Sequence, residues 1–235
     1  MPTPDLDHGA KHPVRLWRVR IWDLPTRLFH WLVVGLFAFS WWTAESDRLD
    51  WHILSGYAIL ALVVFRIYWG FVGSDTARFT TFLKGPRTFF AYSRRLLDRP
   101  VHISQGHNPM GGWSVIALIA LLLLQAGLGL FAIDVDGINA GPLDNLVSFE
   151  TGRRAAGLHG LVFNILLMLT ALHVAAVLYY WLWGRDNLID AMITGAKLMP
   201  GVEPPRATRF APLGRAVLGL IAAALLVACV VLWRF

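Results

Sequence analysis

The chain has 235 residues, 56% of them hydrophobic and 15% charged, with a formal net charge of +6. So much apolar content rules out a disordered nucleic-acid arm, and its arrival in runs of about membrane length argues against a soluble α/β enzyme. One cysteine excludes a disulfide framework, an iron–sulfur cluster and a cysteine-rich zinc site, leaving an integral membrane protein as the class.

Residues 1–25 are polar and basic and lack the apolar core and cleavage site of a secretory signal, so the first apolar span must itself direct insertion. Apolar spans then follow at about 28–43, 51–72, 111–133, 154–183 and 213–233. Each is near the ~20 residues that a helix needs to cross the hydrocarbon core. The expected fold is an all-α membrane protein. Residues 26–200 form a four-helix transmembrane bundle, and residues 201–235 supply a linker and a fifth C-terminal transmembrane helix. Between the second and third spans, residues 86–99 place Phe89, Phe90, Leu96 and Leu97 on one face, the pattern of a helix lying in the membrane interface. A solvated connector is the weaker alternative. Internal repeats and low-complexity tracts are not evident.

Five spans alternate the connections between two sides. The N-terminal side then receives 17 of the 21 Lys and Arg residues, so it is read as cytoplasmic and the C-terminus as periplasmic. The +6 is therefore a topology signal and not a nucleic-acid footprint. The acidic loop at 134–152 reads as a solvated surface.

Histidine at membrane depth defaults to a functional hypothesis. His8 and His12 lie in the polar N-terminus, and His102 and His107 near the end of the 71–110 connection. His30, His52, His159 and His173 fall in apolar spans. His159 and His173 are 14 residues apart, so both leave one helix face, separated by a rise of ~21 Å. Helix direction matches the depth of His52 to His159 and that of His30 to His173. Two facing imidazoles at one depth suit the two axial positions of a haem iron, and a six-coordinate iron moves electrons and does not bind substrate. Gly56 lies on the face of His52, Gly157 and Gly160 flank His159, and Gly35, Gly127 and Gly129 open further room for a porphyrin. Arg27 near His30, and Arg153 and Arg154 near His159, are candidate partners for haem propionates. Against these stand snorkelling arginines, packed histidines and proton relays. A four-ligand zinc or copper site is not evident, because each pair offers only two nitrogens.

Several strings then become recognisable: Arg27-x-x-His30-Trp31, His52-x-x-x-Gly56, the run from Arg66 through Ile67, Tyr68, Trp69, Gly70, Phe71 and Val72 to Gly73, Gly106-His107-Asn108-Pro109, and the His159/His173 pair. Together they resemble the bacterial cytochrome b561 and nickel-hydrogenase cytochrome b superfamily over roughly residues 14–200. The resemblance implies a di-haem b-type cytochrome of the bacterial inner membrane. Its axial ligands would be His30, His52, His159 and His173. It would pass electrons between membrane quinone and a redox partner, namely a hydrogenase, another dehydrogenase or a c-type cytochrome. His107 is a candidate for the quinone site, with a cap or turn role before the third span as the blander reading. The fifth helix departs from the familiar four-helix core. It is open to packing on the bundle, pairing with a second copy in a homodimer, or docking a partner. Cys229 inside it reads as an ordinary apolar residue. A stand-alone quinol:acceptor oxidoreductase, and in another class a histidine-lined transporter or metal permease, are the alternatives.

Overall fold

The computed structural model describes residues 15–96 and 104–233. His8, His12, His102 and the 97–99 end of the expected interfacial helix lie outside them. In chain order the elements are β1 (Arg15–Arg20), α1 (Leu24–Glu45), α2 (Leu49–Val72), the short α3 (Phe79–Phe82), α4 (Pro86–Arg94), α5 (Pro109–Phe131), a 3-10 turn at Asp144–Leu146, α6 (Phe149–Leu182), α7 (Leu188–Thr194), β2 (Ala196–Gly201) and α8 (Leu213–Leu232).

Among the described residues four helices, α2, α5, α6 and α8, are long and apolar enough to cross a membrane. The first of the five expected spans differs from them. At 22 residues α1 reaches about 33 Å, but it interleaves Arg27, His30, Glu45 and hydroxyl side chains with its apolar residues. It folds back on α2 through the tight turn at residues 46–48, where Asp47 takes a left-handed φ of 55°.

Local caps move the element boundaries away from the apolar runs. Asp23 Oδ1 accepts from Thr26 N (2.8 Å) with Pro25 in the first turn, so α1 starts at Leu24. Ser148 Oγ accepts from Thr151 N (3.2 Å), so α6 starts at Phe149 and runs 34 residues. Asn108 Oδ1 accepts from Gly111 N (2.7 Å) and opens α5. The expected 86–99 helix ends at Arg94 and buries none of its residues. It straps across the ends of α5 and α6 instead: Phe89 meets Trp113 edge-on, and the Tyr92 and Tyr180 hydroxyls pair at 2.8 Å.

Antiparallel pairing of β1 with β2, from Arg15 opposite Gly201 to Arg20 opposite Ala196, was not legible as a sheet. It joins the polar N-terminal segment to the linker after α7. Gly195 makes the junction, with φ of 80°, its carbonyl accepting from both Ile21 N (2.8 Å) and Trp22 N (3.1 Å). This sheet end and the 132–148 loop mark the two ends of the bundle.

Ile59 and Val63 of α2, Ile119 and Leu122 of α5, and Val162 and Leu166 of α6 form the central core. The fifth helix packs on the bundle: Ala216, Gly219 and Ala223 of α8 bring its backbone close to Phe65 and Tyr68 of α2.

Candidate functional site

At the loop end, α2 presents His52 in its first turn and α6 presents His159. Their ring centroids are 6.0 Å apart and the planes meet at 79°. His52 Nδ1–H donates to the Ser40 carbonyl (2.9 Å), with Ser40 Oγ at 3.1 Å from the same nitrogen. His159 Nδ1–H donates to the Gln125 carbonyl (2.9 Å). A ring whose Nδ1 hydrogen is held by a carbonyl carries its free lone pair on Nε2. Outer hydrogen bonds of this kind orient metal-binding histidines. Gly129 makes the second one possible, since a Cβ there would meet His159 Cε1 at 3.2 Å and Nδ1 at 3.4 Å. At Gly56, one turn after His52, a Cβ would meet nothing within 4 Å, and the same holds at Gly157 and Gly160 beside His159. The residues therefore fit a flat, metal-bearing ring.

At the sheet end, His30 and His173 lie within electrostatic reach of one another. His30 Nδ1 is buried without a hydrogen-bond partner among the described residues, and the ring meets Trp31 edge-on at 4.9 Å. His107 is not the cap of α5; Asn108 is. The His107 ring sits between Trp22 (4.7 Å) and Phe82 (4.6 Å), and its Nδ1 is buried with no hydrogen-bond partner among the described residues. Burial, then the Arg66 charge and His173, pushes its pKa down to about 3, so it is neutral at physiological pH.

The three expected arginines make contacts of their own. Arg27 Nη1 donates to the Ile193 carbonyl, and its Nε is buried without a hydrogen-bond partner among the described residues. Arg153 Nη1 donates to the Ile133 carbonyl (3.0 Å), which ties α6 to the loop. Arg154 pairs with Glu150 at 2.5 Å, both 76% exposed, a pair of little energetic weight. Among the described residues no three His, Cys, Asp or Glu side chains gather in one group.

Sequence reasoning gave Arg66, Asp23 and Trp69 no role of their own. Asp23 both caps α1 and accepts from Trp69 Nε1 (3.0 Å), which locks α2 to the start of α1. Arg66 had been counted among the charges of one membrane side. Its spacing from His52 was the available signal.

Residues 21–195 match the model of a family described as prokaryotic cytochrome b561. The chain is also similar to a protein of Rhizobium leguminosarum bv. viciae described as a probable Ni/Fe-hydrogenase B-type cytochrome subunit. It is 21% identical over 229 residues, covering 83% of this chain and 95% of the relative. No solved structure matches.

Proposed function

The chain belongs to the prokaryotic cytochrome b561 family, and we propose that it carries electrons across the bacterial inner membrane through two b-type haems. Membership implies membrane electron transfer with b-type haem. The observation that carries the finer reading is the His52–His159 pair, two rings 6.0 Å apart with both Nδ1 hydrogens committed to backbone carbonyls. His52 and His159 would hold one haem, His30 and His173 the other. Haem iron supplies one-electron chemistry when bound.

The chain's own part is to fix the rings and to space the sites. Ser40 and Gln125 orient the imidazoles without offering a charge. His159 and His173 are separated by a rise of ~21 Å along one face of α6, so the two sites sit at opposite membrane levels. By the distribution of Lys and Arg, the sheet end is cytoplasmic and the loop end periplasmic. Quinone exchanges electrons at the cytoplasmic level, where the neutral His107 is a hydrogen-bonding candidate. A periplasmic or membrane redox protein, with a hydrogenase the first candidate given the similar Rhizobium protein, completes the path.

Purified protein is expected to be red, with reduced-minus-oxidised b-type bands, two haems per chain, and reduction by a quinol analogue. A colourless protein overturns the reading. If quinol reduction survives His107→Ala unchanged, His107 has no part in it.

A second expectation concerns the ring support. Gly129→Val should displace the His159 ring from the Gln125 carbonyl and change the spectrum and potential of the loop-level haem alone. Equal spectra and potentials in the two proteins would remove Gly129 from that role.

A further inference from the structure

The α2 face that presents His52 carries one further ionisable residue. Arg66 follows His52 by 14 residues, which returns it to within ~40° of the same face and ~21 Å further along the axis. The same relation sets His173 below His159 on α6, so Arg66 stands at the level of His173. It is 2% exposed.

Its hydrogen bonding is incomplete. Arg66 Nη2 donates to the Ala77 carbonyl (3.2 Å), and the guanidinium lies 5.2 Å over the Phe79 ring. Nη1 is buried with no partner among the described residues. Asp23 is near enough to feel the charge, but its two oxygens already accept from Thr26 N and Trp69 Nε1. On the other side, Arg66 is within electrostatic reach of His107, and His107 of His173. A buried cation whose Nη1 has no acceptor among the described residues, and whose one nearby carboxylate is already engaged, has room for a further anion, and a guanidinium fork is matched in shape to a carboxylate.

We propose that Arg66 is a carboxylate-binding residue of the sheet-level site, its free Nη1 taking a propionate of the haem held by His30 and His173. This rests on the two-haem reading above. It also assigns the anchoring role to a residue other than Arg27, which is half-exposed and reaches the Ile193 carbonyl.

The test uses full-length protein stripped of haem and refilled with iron protoporphyrin IX or with its dimethyl ester, which has no carboxylates. His52→Ala protein, holding the sheet-level haem alone, assigns the signals. In the parent protein esterification should weaken binding at the sheet-level site about tenfold or more. In Arg66→Gln, acid and ester should bind there equally, while the loop-level site behaves alike in both proteins. At alkaline pH, where a propionate stays ionised, the sheet-level haem of Arg66→Gln should shift tenfold toward the ferric form, about 59 mV lower for a one-electron couple. Arg66→Lys should restore part of that shift. An ester penalty of the same size in the parent and in Arg66→Gln overturns the proposal. So does an effect confined to the quinol KM with haem binding and potential unchanged, which would give Arg66 to the quinone. If Arg66→Gln fails to fold, Arg66→Lys decides, a reduced ester penalty supporting the proposal and an unchanged one overturning it. A parent protein that loads fewer than two haems would instead break the two-haem reading.

Discussion

Replacing His52 or His159 with alanine should remove one of the two proposed haems and leave the other, and replacing His30 or His173 should do the reverse. On the proposed pairing, each substitution deletes one of two axial nitrogens at its own level and touches no residue at the other. Haem content measured as the pyridine complex should fall from two per chain to about one, and redox titration should show one wave in place of two. Electron transfer across the membrane should then fall by orders of magnitude, because the remaining site spans only one level of a path with a ~21 Å rise. The pairing is the sharper part. Loss of the loop-level haem in His30→Ala would mean that the depth assignment of α1 is wrong. Retention of both haems in every single variant would remove the histidines as ligands altogether. The two levels should also respond differently to milder changes. His52 and His159 each have a carbonyl fixing Nδ1, whereas His30 Nδ1 has no such partner among the described residues. Ring orientation at the loop level is thus set by the protein before any haem arrives.

How much of this was legible in the sequence depended on what kind of regularity carried it. The depth matching of His52 with His159 followed from helix rise and direction alone, and the rings do meet at 6.0 Å. The carbonyls that hold them, from Ser40 and Gln125, have no side-chain signature and could not be read. Gly129 looked like one of several space-making glycines; only the packing shows that it clears the path of the His159 ring. The burial of His107 between Trp22 and Phe82 joins residues 85 positions apart in the chain and one from α3, so its low pKa was invisible. The β1–β2 sheet was missed for the same reason, since Trp17 pairs with Met199 across nearly the whole sequence and Pro200 reads as linker. Arg66 shows the opposite failure. Its 14-residue spacing from His52 was as readable as that of the two α6 histidines, but a charge count and the family-like string absorbed it.

Breaking the Asp186–Lys197 pair should be the costliest change outside the histidines. The two side chains are each 7% exposed and meet at 2.5 Å, and Lys197 Nζ also donates to the Ser104 carbonyl (3.1 Å). Lys197 lies on β2 and Asp186 in the turn after α6, so the pair joins the sheet to the end of the helix that bears His173. Removing one partner strands a buried charge, a loss of roughly 3–5 kcal/mol. Asp186→Asn and Lys197→Met should each approach that loss in unfolding of the detergent-solubilised protein. The double variant Asp186→Leu with Lys197→Met should recover much of it, because no buried charge remains. Single variants within about 0.5 kcal/mol of the parent would show the pair to be idle. The local apolar cluster of Ile21, Trp22 and Ala191 is small, so a charge stranded beside it has little packing to offset its cost. The sheet-level haem should therefore be released before the loop-level haem as either single variant is heated. Simultaneous release would mean that the sheet does not brace the His30–His173 site.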